Sequence, residues 1–268
     1  MRSQSAFSLV ELSIVLVILG LLTGGVLSGQ SLIRAAELRA VASEYTRWVT
    51  ATQTFRDKYF MIPGDLSNAT SFWGAAGGNG TGRDGPCRIA MAVNGHTGTC
   101  NGDGDGTLAS QSSGILNDAS MYWDHLAHAG LVEGNYAYMS PWPAPQVIGV
   151  HTPVSKIAAA GWFPCHTVRG NFGRGANNML ILGKTPWSSA ACGSGRSTGI
   201  TGPEAWNIDT KIDDGQAGFG RFTATNSYDA QLGCITSAGG FSAEALPAAY
   251  VLNSNTQPAC HLYVLLTP

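Results

Sequence analysis

From Phe7 the chain reads FSLVELSIVLVILGLLTGGVLSG, about 23 residues in which Glu11 is the one ionisable side chain. As a helix rising 1.5 Å per residue, the run is roughly 34 Å long, enough to cross the hydrocarbon core of a bilayer. Ahead of it stand only MRSQSA, with Arg2 and the α-amino group as charges. A secretory signal peptide would use Arg2 as its basic region, Leu12–Leu22 as its apolar core and the small residues after Ser28 for cleavage. Three features oppose that reading. A carboxylate stands at the head of the run, no sharp cleavage site ends it, and the helical pattern continues into the next segment.

Glu11 is the informative residue, because a carboxylate within a membrane segment costs about a few kcal/mol and marks a functional position. No basic residue lies near it in the helix. Cutting the chain between Ala6 and Phe7 would create an α-amino group four residues before Glu11, able to neutralise the carboxylate of a neighbouring copy. The segment AFSLVELSIVLVILGLL resembles the cleavage and methylation segment of type IV prepilins and type II secretion pseudopilins: a short leader, a small residue, Phe, three residues, Glu and an apolar run. The resemblance implies cleavage by prepilin peptidase between Ala6 and Phe7 and N-methylation of Phe7. It also implies pairing of Glu11 with the Phe7 amine of a neighbouring subunit, and handling by an inner-membrane assembly machinery. Ala6 stands where the family usually has Gly, which leaves room for the peptidase but predicts less efficient processing.

Gly20, Gly24, Gly25 and Gly29 punctuate the run. Each costs a helix interior about 1 kcal/mol relative to Ala. They fit either close packing against another helix or local melting when the helix leaves lipid for a filament core, as pilins resembling this one loosen there. Both uses need helix partners. Over residues 30–60, Leu32, Ala35, Ala36, Leu38, Val41, Ala42, Tyr45, Val49, Thr52 and Phe55 recur at three- and four-residue steps, the apolar face of an amphipathic helix. Pro63 and Gly64 stop it before Met61. The expected organisation is a leader at 1–6, a membrane or filament-core helix at 7–29, an amphipathic helix at 30–60 and a globular head at 61–268. A helix of that length outruns any head of this size, so half of it protrudes.

The head has a low charge density: charged residues are 12% of the chain and Gly numbers 35, which points to a loop-rich surface. The net charge of −2 gives no electrostatic footprint for nucleic acid. Helices are expected over Asn117–Gly130 and from the Thr201/Glu204 capping box to Gly215. Strands are expected at Asn178–Gly183, Phe219–Thr225 and His261–Leu266. The fold class is therefore α+β, a long N-terminal helix on a mostly antiparallel sheet. Six cysteines with no C-x-x-C pair favour disulfides in an oxidising compartment over zinc. Of the many pairings available, that between sequence neighbours is expected: Cys87–Cys100, Cys165–Cys192 and Cys234–Cys260. The last would pin the C-terminal strand, as a C-terminal disulfide loop does in many pilins. The stretches PGDLSNATSFWG, WDHLAHAGLVEG and AWNIDTKIDDG also resemble parts of large prepilin-like proteins, and with the N-terminal segment the resemblance covers about a quarter of the chain.

Three groups could carry chemistry. Asn101-Gly-Asp103-Gly-Asp105-Gly106 matches the first half of a calcium loop, with oxygen donors at alternate positions and Gly for the turn. Ser112 stands where the bidentate Glu belongs, so Asp118 or a carboxylate from elsewhere would have to complete the shell; the plainer reading is a polar glycine turn. Asp209 and Asp213 share a helix face, and Asp213 and Asp214 oppose the dipole at the helix end, so they are expected to bond amides of the following loop, with a cation as the alternative. His125 and His128 have metal-ligand spacing but no third ligand in sight. Gly195-Arg-Ser197-Thr-Gly199, with Asp209 or Asp229 and His261 downstream, matches G-x-S-x-G in composition, yet the strand-to-helix elbow that motif needs is missing. No cofactor is expected beyond a structural calcium ion.

The reading is a non-enzymatic subunit of an extracellular type IV pilus-like filament. Its precursor sits in the bacterial inner membrane with the head in the periplasm, and its main partners are further copies of itself. Within the same class stands a minor pilin or a pseudopilin at a filament tip, although Glu11 is kept where one large tip pseudopilin type lacks it. From another class comes a secreted, disulfide-bonded binding protein or hydrolase.

Overall fold

A computed structural model of the chain describes residues 8–78, 85–108, 118–138, 147–167, 177–184, 199–226, 233–236, 248–253 and 258–266. Helix α1 runs unbroken over Leu9–Tyr59, about 77 Å at 1.5 Å per residue. It starts in a capping box: Ser8 Oγ accepts from the Val10 amide (3.3 Å) and Glu11 Oε2 accepts from the Ser8 amide (2.9 Å), satisfying backbone donors that a helix start leaves orphaned. It ends at Phe60, which turns left-handed (φ 59°) and donates its amide to Arg56 O.

Short helices α2 (Ala69–Trp73) and α3 (Gly85–Met91) follow, then α4 (Asp118–His128), β1 (Ala160–Thr167), β2 (Asn177–Lys184), α5 (Gly202–Ile212), β3 (Phe222–Asn226) and β4 (Cys260–Leu265). The four strands form one antiparallel sheet in the order β1-β2-β4-β3, so the head is α+β. Strand β1 is not among the strands expected from the sequence, and it contains Gly161 and Pro164, residues that weaken a strand interior. It is tolerated because β1 is an edge strand, paired fully only with β2.

One cluster unites α1, α4, α5 and one sheet face. It includes Val41, Tyr45, Trp48 and Phe55 of α1, Tyr122, Trp123 and Leu126 of α4, Ile208 of α5, and Trp162, Leu180, Leu182, Phe222, Leu262 and Val264 of the strands. Trp48 and Trp123 meet edge to face at 5.0 Å, and Thr52 hydrogen-bonds the Tyr122 hydroxyl. Phe163, Cys165, Met179, Ile181, Tyr263 and Leu265 line the opposite face and are buried as well. Both faces are covered, which fits the continuous apolar stretches Met179–Leu182 of β2 and Leu262–Leu265 of β4.

The apolar face drawn from the sequence is displaced at its upper end. Leu32, Ala35 and Ala36 are exposed, and the helix enters the core only at Leu38. Trp48 and Ala51, absent from that face, are buried. The reason is the height of the head. Its topmost grip on α1 is Arg34, whose guanidinium clasps Glu204 of α5 (Nε–Oε1 2.6 Å, Nη2–Oε2 3.0 Å) and donates to Gly199 O (2.8 Å). Further down, Glu44 accepts from Ser155 Oγ, the Lys156 amide and Trp162 Nε1, all at 2.7–2.8 Å.

Disulfides join Cys87 to Cys100 and Cys234 to Cys260. Cys165 is also disulfide-bonded; its expected partner, Cys192, lies outside the described residues.

Candidate functional site

Two features stand apart from ordinary core packing: the protruding half of α1 and a knot of aspartates. From Leu9 to Ile33 the large apolar side chains of α1 are exposed, Leu9 at 86% and Leu32 at 71% among them. The most apolar window of this helix has no buried residue and is long enough to cross a membrane. Exposed apolar area costs about 25 cal/mol per Å² in water, so this surface needs lipid or partner helices. Glycines 20, 24, 25 and 29 stay helical, and a β-carbon added at any of them would have nothing within 4 Å beyond the adjoining backbone of its own helix. Among the described residues, nothing packs against them that would require their smallness. Ala6 and Phe7 lie outside the described residues; Glu11 holds the Ser8 amide within the cap described above.

The aspartates come from three segments. Chain 62–66, just beyond α1, carries Asp65; the loop 101–108 carries Asp103 and Asp105; α4 opens with Asp118. One carboxylate oxygen of each lies within 4.8 Å of the others. The loop wraps Asp65 tightly. Asp65 Oδ1 accepts from the amides of Gly104 (2.6 Å) and Asp105 (3.1 Å), and Oδ2 accepts from Gly106 (2.9 Å). Gly102 makes this approach feasible, since a β-carbon there would sit 2.4 Å from Asp65 backbone atoms. Gly64 (φ 89°) does the same beneath α4, where a β-carbon would fall 2.3 Å from Asp118 O. Asn178 of β2 secures the far end, accepting from the Leu108 amide and donating to Gly106 O.

Burial pushes the Asp65 carboxyl up to about 6 against the pull of the Gly106 and Gly104 amides, and the nearby Asp103 adds to the rise. Asp118 is pushed up to about 9, first by burial and then by the charges of Asp103 and Asp65. Asp118 is 1% exposed, and its Oδ1 has no hydrogen-bond partner. Of the three loop donors expected from the sequence, Asp103 and Asp105 join the cluster. Asn101 Oδ1 accepts from the Thr70 amide at 2.8 Å. Asp65 was not foreseen as a donor, because its partners lie about forty residues away; its setting in Pro63-Gly64-Asp65 was read only as a helix stop.

The other groups are explained by internal bonding. His125 Nδ1 accepts from the Gly64 amide (2.9 Å), so its Nε2 donates to Cys100 O (3.0 Å), and both nitrogens are spent. His128 bonds Gly98 O and lies 3.4 Å from Asp124 Oδ1. Asp213 accepts from the amides of Arg221 and Phe222, and Asp214 from that of Gln216, the loop bonding expected of them. Ser197 and Asp229 lie outside the described residues. Asp209 accepts from the Tyr250 hydroxyl (2.8 Å), and His261 Nδ1 pairs with the Tyr263 hydroxyl (3.2 Å).

An exposed apolar half-helix rising from a disulfide-bonded α+β head is the build of a subunit that is anchored in a membrane or packed among copies of itself. Residues 1–27 match the model of the prokaryotic N-terminal methylation motif, so the chain carries the N-terminal segment of type IV prepilins and pseudopilins. That motif implies processing by prepilin peptidase and assembly into pilus-type filaments. No curated protein and no solved structure matches the chain significantly.

Proposed function

We propose that this chain is the structural subunit of an extracellular type IV pilus-like filament. Cleavage between Ala6 and Phe7 and N-methylation of Phe7 release a mature chain whose protruding helix passes from the inner membrane into a bundle of identical helices. The carrying observation is the exposed apolar half of α1, Leu9 to Ile33, next to a head that buries its own core. In the precursor that surface faces lipid, with the head in the periplasm. In the filament it faces other copies, and the glycines, which have open space beside them among the described residues, let those helices approach closely.

Glu11 sets the axial register. Its carboxylate already stands at the first turn of α1, where a neighbour's Phe7 amine would meet it away from water and an unpaired charge would be strongly disfavoured. Because such a contact joins two different surfaces, it repeats without closing and yields a fibre. The test is the intact mass and N-terminal sequence of the protein in sheared extracellular filaments. An abundant chain beginning at methylated Phe7 is the expected result. Trace amounts of that chain would assign a minor or tip subunit, and a soluble monomer starting near residue 29 would overturn the reading.

A further inference from the structure

Asp124 of α4 gathers two imidazoles around one carboxylate oxygen. His128, four residues on and so on the same helix face, places Nε2 3.4 Å from Asp124 Oδ1, and His96 of the loop 93–98 places Nε2 3.6 Å from the same atom. Asp124 and His96 are buried and His128 is half-buried. The loop is held for this approach. Asn135 donates to His96 O and accepts from the Gly95 amide, and at Gly98 (φ 75°) a β-carbon would fall 2.7 Å from Gly74 O. His96 Nδ1 faces Gly98 O at 3.0 Å and its Nε2 faces Tyr136 O at 3.2 Å. A neutral imidazole carries one N–H, so in either tautomer the other nitrogen turns its lone pair toward a carbonyl oxygen. A proton or a metal ion at Nε2 removes that conflict, and the surroundings favour the metal.

We propose that His96 Nε2, Asp124 Oδ1 and His128 Nε2 form a zinc site that fastens the loop 93–98 to α4. Zinc bonds of about 2.0–2.1 Å in a tetrahedral array put ligand atoms roughly 3.3–3.4 Å apart. The two imidazole contacts with Asp124 Oδ1 lie at 3.6 and 3.4 Å, and one ligand atom of each residue lies within 4.8 Å of the others. The outer hydrogen bonds are those such ligands need. His96 Nδ1–H donates to Gly98 O, which fixes the tautomer that ligates through Nε2. Thr99 Oγ1 donates to Asp124 Oδ2 at 2.6 Å, which turns Oδ1 to the imidazoles, and Trp73 stacks on the His128 ring at 5.7 Å. Tyr136 O, or a water on the open side of His128, offers a fourth oxygen. Two imidazoles with one carboxylate suit zinc, whereas calcium and magnesium take oxygen ligands. On binding, His128 Nε2 exchanges its 3.0 Å contact with Gly98 O for the ion. The spacing of His125 and His128 drew attention to α4, but His125 is spent on Gly64 and Cys100, and Asp124 and His96 take its place. The site stands whether or not the chain polymerises.

The experiment is calorimetric titration and thermal unfolding of the untagged full chain in detergent, stripped with EDTA and then given ZnCl2 or CaCl2. Zinc about a hundredfold above Kd should raise Tm by roughly 5–10 °C, with no matching calcium response. His96→Gln and His128→Gln should each weaken zinc binding at least about tenfold, and their Tm in EDTA shows that they fold. His128, the more exposed of the two, carries the test if His96→Gln does not. His151→Gln, outside the site, should keep the wild-type zinc affinity. No zinc response up to about 1 mM would leave a proton as the cation of the triad and overturn the proposal. A calcium response equal to that of zinc, or a His128→Gln variant that binds zinc as tightly as the wild type, would overturn it as well.

Discussion

Phe55→Ala and Leu32→Ala remove comparable side chains from one helix, and the structure predicts opposite outcomes for the head. Phe55 is fully buried, its ring 4.5 Å from Tyr59 and stacked at 6.3 Å on His125, with Trp73 also 6.3 Å away. Truncating such a residue costs about 3–5 kcal/mol, the lost transfer energy plus the cavity. For a domain of this size, about 2–4 °C is lost per kcal/mol, so Tm should fall by roughly 6–20 °C. Leu32 is 71% exposed, and its truncation should change head stability by less than about 0.5 kcal/mol. The assay is near-UV circular dichroism of the full chain in detergent against temperature. Filament yield should respond in the reverse sense, with Leu32→Ala reducing it despite an unchanged Tm. A Leu32→Ala variant melting as low as Phe55→Ala would refute the division of α1 into a gripped half and a protruding half.

Four further outcomes are expected. Glu11→Gln keeps a side chain able to complete the capping box but removes the charge, so filament yield should fall more than about tenfold with the head's Tm unchanged; normal yield would dismiss the register role. Glu44→Ala strips the acceptor from Ser155, Lys156 and the Trp162 indole and should cost about 2–4 kcal/mol in urea unfolding; a midpoint shift under about 0.5 kcal/mol would show the three donors find water. Replacing Cys234 and Cys260 by Ser opens a 26-residue span and should cost about 2–5 kcal/mol, seen without reductant as a Tm roughly 4–20 °C below the wild type; an unchanged Tm would refute it. Asp209, buried and bonded to Tyr250, is pushed up to about 7 by burial. A carboxyl raised in the folded state is disfavoured there once ionised, so its contribution to stability falls as pH rises from about 4 to 7 and then levels. Asp209→Asn should flatten that decline, and an unchanged pH profile would contradict it.

The sequence by itself determined the long helix, its apolar first half, its stop near Pro63, the two head helices at 118–128 and 202–212, and strands β2, β3 and β4. Each follows from local periodicity, caps and turn residues, which act over a few positions and leave their mark in the order of residues. Strand β1, absent from the expected strands, contains Gly161 and Pro164, which weaken a strand by local rule and are tolerated at an edge position, a property of the whole sheet. The same limit governed α1: periodicity marked which side is apolar, but the height at which burial begins depends on where Glu204 and Gly199 meet Arg34. The aspartate knot shows the division most sharply. Alternating donors at 101–105 were legible, and so was Asp118 as a residue able to complete their shell, yet Asp65 was not, because backbone packing at Gly64 and Gly102 decides which carboxylates meet. Convergence of residues far apart in the chain is set by three-dimensional fit, and no spacing along the sequence encodes it.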